Sequence, residues 1–354
     1  MKSKKKYLIS IIFFVILLIL TFYLLFSNND IEDVVKNLKN ISLKYIFCGV
    51  LLILVYLISE SLYIKHILKS IKCKISLLQG FVYSCIEFYF SAITPSSTGG
   101  QPAQAYYMGE DGIPFTKSSI TLLLNTITFK LVLLILGLFA IIFYPNLIFD
   151  NSTLFTIIFI FGIVVNLLVI LICLMLMYSK RWIKKVATFS INLGYKLKVI
   201  KDKDAKLLSF NTHLEEYQEG AKYIKNHISV IIYVCLITLI QRLAMFSVSF
   251  VVYKAFGLST YSYIELMMMQ LAVAIAIDSL PLPGGMGASE AMLLLLYRKY
   301  FGSDIAVPAM LVTRGLSYYL CLIISGIVVL INHLRVSFIS NNKMKGENLN
   351  DRLL

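Results

Sequence analysis

Charge is what this sequence has least of. Only 15% of its 354 residues are Asp, Glu, Lys or Arg, against about 25% in an ordinary soluble domain. The residues that build common catalytic and metal centres are present but not in the spacings those centres need. His66, His213, His227 and His333 form no H-E-x-x-H, and no G-x-S-x-G or phosphate-loop spacing occurs. Cys48, Cys73, Cys85, Cys173, Cys235 and Cys321 show no C-x-x-C and lie in or beside apolar runs. That excludes a zinc ribbon or disulfide framework and leaves them as small buried hydrophobes. Gly284-Gly285-Met286-Gly287 follows no strand, so it is not a dinucleotide fingerprint. No cofactor, metal or catalytic constellation is expected.

What the chain has in excess is apolar surface, at 58% of residues and a mean hydropathy of +0.81. A hydrocarbon layer roughly 30 Å thick takes about 20 helical residues to cross. Six runs reach that length: Tyr7–Phe26, Tyr45–Ile64, Ser118–Phe143, Thr153–Tyr178, Ser229–Tyr253 and Ile305–Ile331. The fold class is therefore an all-α polytopic membrane protein. The first run follows a basic start but is too long for a signal core and precedes no small-residue cleavage site, so it reads as an uncleaved span. The net charge of +14 sits in clusters flanking apolar runs. Insertion topology and anionic lipid explain it better than a nucleic-acid partner does.

Basic loops stay cytoplasmic. Lys2, Lys4, Lys5 and Lys6 place the N-terminus inside, as do Lys65, Lys69, Lys72 and Lys74 for residues 65–75. Residues 179–228 carry eleven Lys or Arg against five acids and also face inside, whereas 144–152 and 255–262 carry no Lys or Arg and face outside. The 179–228 piece, with Trp182, Tyr195 and Tyr217, reads as a basic amphipathic connector lying on the membrane surface. Residues 1–335 form the membrane domain, and 336–354 form a cytoplasmic tail.

Two more apolar stretches, 77–116 and 262–304, are broken by Pro and Gly. The first enters from the cytoplasmic side and the second from the outside. Halves 45–143 and 229–331 thus match in element order with opposite orientation, the layout of an inverted repeat, in which paired broken segments mark a midplane substrate site. Charge counting leaves open whether the hairpins are re-entrant or cross. In each, Pro stops a helix, a Gly pair frees the backbone and a polar cap opens the next helix. A helix N-terminus at that depth suits a phosphate or carboxylate. The head-group candidates are Ser97, Thr98, Gly99, Gly100, Gln101, Gly284, Gly285, Gly287 and Ser289.

An ionisable side chain at a span centre costs roughly 2.5–3.5 kcal/mol on insertion scales and needs a reason. Arg242, beside Gln241, and Arg314 lie mid-span, and their planar forks suit phosphate. Glu87, Asp278 and Glu290 are their candidate charge partners, and Arg314 is expected to pair with Asp278 or Glu290. Lys130 is a further buried base. Glu60 and Lys117 read as interface residues that snorkel.

Residues 93–102 (ITPSSTGGQP), 281–291 (PLPGGMGASEA) and 314–319 (RGLSYY), with Tyr106-Tyr107-Met108, together resemble the transmembrane, flippase-like domain of lysylphosphatidylglycerol synthases. The resemblance covers most of residues 7–335. It implies a bacterial plasma-membrane protein that moves a phospholipid, anionic or aminoacylated, between leaflets and contributes to surface charge and cationic peptide resistance. Full-length members add a soluble domain that transfers lysine from lysyl-tRNA to phosphatidylglycerol. Here about twenty residues follow the last span, so a lysyltransferase is the alternative reading, as is a membrane subunit for a separate synthase. The resemblance leaves open whether a second copy of the chain is a partner.

Overall fold

A computed structural model describes residues 41–94, 97–150, 152–196, 202–278, 280 and 287–350, with Lys36 and Lys39. In chain order these form α1 (Leu43–Ser70), α2 (Leu77–Ile93), α3 (Gly100–Glu110), α4 (Phe115–Phe143), α5 (Pro145–Phe149), α6 (Thr153–Tyr178) and α7 (Lys180–Lys196). There follow α8 (Lys203–Asn226), α9 (Ile228–Ala255), α10 (Tyr263–Asp278), α11 (Ala288–Phe301), α12 (Ser303–Arg314), a π-helical segment (Gly315–Leu320) and α13 (Cys321–Asn350). Among the described residues all regular structure is helical, as a chain immersed in lipid requires, because unpaired backbone groups have no water to turn to.

Among the described residues, five stretches are long and apolar enough to cross a membrane: α1, α4, α6, α9 and Ser303–Val336. Each contains one of the runs read from the sequence, and Tyr7–Phe26 lies outside the described residues. Their outward faces carry large apolar side chains, among them Ile135, Leu138, Phe139 and Ile142 on α4 and Ile157, Phe161, Leu168 and Ile172 on α6. A continuous apolar belt of this kind is a lipid-facing surface. The last helix, α13, continues to Asn350. No proline interrupts it, so nothing in residues 336–350 stops the helix.

Two antiparallel helices set the frame. The Ser42 N–H at the start of α1 donates to the Ala255 carbonyl at the end of α9 (3.0 Å). Near the opposite end, His66 stacks on Tyr233 with ring centroids 4.0 Å apart. The α1 C-terminus and α9 N-terminus therefore share one end of the bundle, the basic one, and Ser42 shares the other with the loop 255–262.

Both broken segments fold back to the end they start from. Hairpin one is rooted at the basic end by a capping box in which Ser76 and Gln79 exchange backbone-to-side-chain bonds of 3.0 and 2.9 Å. Its return limb, α3, has 11 residues, about 16 Å at the helical rise, too short to cross. It runs back along α2: Gln104 Nε2 donates to the Tyr83 carbonyl (3.2 Å), and the Tyr83 hydroxyl donates to Asp111 Oδ2 (2.7 Å). Asp111 also receives Arg335 Nη2 from α13 (2.5 Å), and Tyr107 Oη lies 3.1 Å from His333 Nδ1. Hairpin two returns to the opposite end, where Tyr300 meets Tyr261 (4.6 Å between centroids) and Phe301 meets Tyr253 (5.2 Å). The two hairpins thus enter the bundle from opposite ends.

Candidate functional site

Between the hairpins lies a cavity of about 450 Å³ whose wall mixes aromatic and charged side chains from α1, α2, α4, α9, α10, α12 and the π-helical segment. Three cations reach it. Lys130 of α4 forms a salt bridge with Asp278, the last residue of α10. Arg314, at the end of α12, donates from Nε to Glu290 Oε1 (2.7 Å) and lies over the Tyr318 ring, 4.3 Å from its centroid. Arg242 of α9 donates from Nη2 to Gln241 Oε1 (3.0 Å) and is sandwiched by Phe129 and Tyr56, at 4.3 and 5.1 Å.

The aromatic rings connect these cations. Tyr318 leans on Phe88 (6.4 Å), and Phe88 meets Tyr56 edge-on (6.2 Å). A row of rings therefore runs from Arg314 to Arg242, and each guanidinium lies against a π-face that favours it electrostatically. The planar forks are thereby fixed, yet not used up. Arg314 Nη2 and Arg242 Nε are buried and make no hydrogen bond, a costly state for a donor on a charged group.

Local chain geometry builds the rest. Gly287 has φ +80°, a conformation that favours glycine, and it starts α11 so that its N–H donates to Glu290 Oε2 (2.6 Å). Ser289 Oγ donates to the same oxygen (2.8 Å). In hairpin one, Gly100 lets α3 approach α2 so closely that an added Cβ would fall 2.1 Å from Ser91 Oγ and 2.7 Å from the Glu87 carbonyl. Ser91 Oγ in turn donates to Glu87 Oε1 (2.8 Å), fixing that carboxylate at the cavity wall.

Of the residues singled out from the sequence, Arg242, Arg314, Ser97, Gln101, Ser289, Glu87 and Asp278 line the cavity. Gly99, Gly100, Gly287 and Glu290 act one step back, through the helix starts and the Arg314 pair. Thr98 is exposed and not on the wall, and Gly284 and Gly285 lie outside the described residues. At the start of α3, Thr94 Oγ1 accepts the Gly99 N–H at 2.9 Å. Of the two carboxylates expected beside Arg314, Glu290 takes it, and Asp278 pairs with Lys130.

Glu60 is the largest departure. Read from the sequence as a snorkelling interface residue, it is 2% exposed and accepts a hydrogen bond from Gln241 Nε2 at the cavity wall (3.3 Å). The signal was available in Tyr56, one helical turn before it, which faces the same way.

The architecture is that of a multi-pass membrane protein with a charged chamber closed by two opposed hairpins. Its residues 7–325 match the family model described as lysylphosphatidylglycerol synthase TM region, and the chain belongs to that family. Membership ties it to lysylphosphatidylglycerol-related lipid handling. No curated protein and no solved structure matches the chain.

Proposed function

We propose that the chain is a lipid translocator: it takes the head group of a phosphate-bearing phospholipid, lysylphosphatidylglycerol or a related lipid, into the central cavity and passes it between leaflets. The observation that carries this is the pair of oriented guanidiniums, Arg314 and Arg242, each with an unspent buried N–H at a chamber wall reached by both hairpins. A phosphate supplies the acceptor oxygens such donors lack. Opposed hairpins support a mechanism in which the halves act as an inverted repeat and rock about a fixed midplane site. The positive-inside rule supports a cytoplasmic basic end, and the family resemblance supports a bacterial plasma membrane.

Leaflet-resolved labelling in proteoliposomes tests the reading. The protein should raise outer-leaflet exposure of a phosphate-headed lipid with total lipid unchanged, and Arg314→Ala should abolish the rise. Equal exposure with Arg314→Ala would sink it. If a new aminoacylated lipid appears on supplying lysyl-tRNA and phosphatidylglycerol, the chain is instead a transferase.

A further inference from the structure

A second hollow lies outside the central cavity. It is a cleft of about 570 Å³ between hairpin one and the last span, lined by aromatic rings of α2 and α3 and by a mostly apolar face of α13. It shares no lining residue with the central cavity. Its form follows from residue size. Ala103 of α3 and Gly326 of α13 carry little or no side chain, and around them stand Tyr89, Phe90 and Tyr106. At Gly326, α13 passes so near α2 that an added Cβ would lie 3.2 Å from Tyr89 Cε2. The result is a slot between aromatic walls.

The slot has a direction. Ala103 and Gly326 lie toward the hairpin tip, and both helices then run to the basic end. There Tyr107 Oη is 3.1 Å from His333 Nδ1, and beyond them Arg335 meets Asp111. The seven residues from Gly326 to His333 span about 10 Å of helix. Polarity therefore rises along the slot, from small and apolar residues deep in the layer to an imidazole and a hydroxyl at the basic end. One bilayer leaflet passes from acyl chain to head group in the same order. The slot also opens sideways. Tyr106 and Leu330 belong to its lining and are 59 and 60% exposed. Leu330 continues the exposed apolar face that Ile323, Ile327 and Ile331 give to α13. The cleft is thus continuous with the lipid-facing belt.

We infer that this cleft is a binding site for one acyl chain of a phospholipid from the leaflet at the basic end. That lipid is a resident of the seam between hairpin one and the last span, distinct from any cargo in the central cavity, and it is held there whether or not the chain translocates lipid. Filling the slot with hydrocarbon braces α3, which crosses only part of the layer, against α13.

The test uses phosphatidylcholine carrying a photoreactive diazirine midway along one chain. The purified full chain is reconstituted with this probe in nanodiscs, extracted into detergent to remove loosely held lipid, and illuminated, and the adducts are located by peptide mass spectrometry. Wild type should carry a single probe, attached within α3 or residues 326–333. Ala103→Phe fills the slot and should lower the yield about tenfold, equivalent to excluding about two methylenes from a buried site. Tyr106→Ala removes one wall at an exposed position and should lower the yield as well, which keeps the test decisive if Ala103→Phe does not fold. Ile327→Phe adds the same ring to the lipid-facing side of α13, outside the slot, and should leave the yield unchanged. Adducts scattered over the exposed apolar faces and indifferent to Ala103→Phe and Tyr106→Ala overturn the site. Adducts confined to the segments around Arg242 and Arg314 overturn it too, while supporting the translocator reading. A dimer joined through α3 and α13 that excludes the probe gives the slot to a second copy of the chain and likewise overturns the lipid assignment.

Discussion

Arg314 and Glu290 face each other across 2.7 Å, and the carboxylate that receives the arginine is already holding the start of its own helix. Glu290 Oε2 takes the Gly287 N–H and the Ser289 hydroxyl, while Oε1 takes Arg314 Nε. One side chain thus ties the return limb of hairpin two to the π-helical turn in the last span. Such turns often mark functional positions in helices. The arginine's orientation follows from that tie, and with it the direction of the unused Nη2.

Breaking this pair from either side should be costly. The side chains of Arg314 and Glu290 are 11% and 5% exposed, and removing one member of a buried pair costs about 3–5 kcal/mol because the other charge is left unpaired. Glu290→Ala and Arg314→Ala should each lower the unfolding temperature in detergent, whereas Arg314→Met with Glu290→Leu should recover most of the loss. A double variant no more stable than the singles would show that the two residues are not coupled.

The contact between Lys130 and Asp278 joins α4 to the tip of hairpin two, residues 148 apart in sequence. Lys130→Glu places two acids together in a largely buried setting and should destabilise strongly. Lys130→Glu with Asp278→Lys restores opposite charge and should regain much of the lost stability in the same unfolding assay. Failure of the swap to rescue would mean that the lysine's other contact, the Phe129 ring 5.0 Å away, governs the site instead.

That long-range pairing shows where sequence reading reached its limit. Span existence is a local property of run length, and α1, α4, α6, α9 and the last span were legible for that reason. Which acid meets which base depends on how helices pack, and nothing in the sequence linked Lys130 to Asp278. Glu60 was misplaced because the apolar run seemed to end at Ile64. The helix continues to Ser70, ten residues or about 15 Å past Glu60, so that side chain lies well inside α1 rather than at its end. The aromatic row likewise joins residues of α1, α2 and the π-helical segment, which no single stretch displays.

Close approach at Gly100 gives a third prediction. A Cβ there meets the backbone carbonyl of Glu87 as well as the Ser91 hydroxyl, and a carbonyl in a packed helix cannot swing aside as a side chain can. Gly100→Ala should cost about 1–3 kcal/mol, the usual price of overpacking. By pushing α3 off α2, it should also shift the Glu87 carboxylate and reduce lipid translocation. Gly109, with nothing within 4 Å of an added Cβ, is the control, and Gly109→Ala should leave both readouts unchanged. Equal behaviour of the two variants would rule out tight packing at Gly100.

The connector offers a test that needs no substitution. On α7, Trp182, Val186, Phe189 and Leu193 recur at helical spacing and are 44, 41, 66 and 45% exposed, while Ile191 on another face is buried. Lys185 lies over the Trp182 ring at 5.1 Å, and Arg181 and Lys196 are nearby in sequence on the same helix. An apolar stripe flanked by cations suits the boundary between head groups and acyl chains, and α7 begins directly where α6 leaves the bilayer. Trp182 is the sole tryptophan of the chain, so intrinsic fluorescence reports this helix alone. In vesicles containing anionic lipid its emission should be blue-shifted, and it should be quenched more by lipids brominated near the head-group end of the chain than by those brominated near the terminal methyl. Emission typical of water, indifferent to brominated lipid, would place the stripe in solvent and leave its exposed apolar face without a partner.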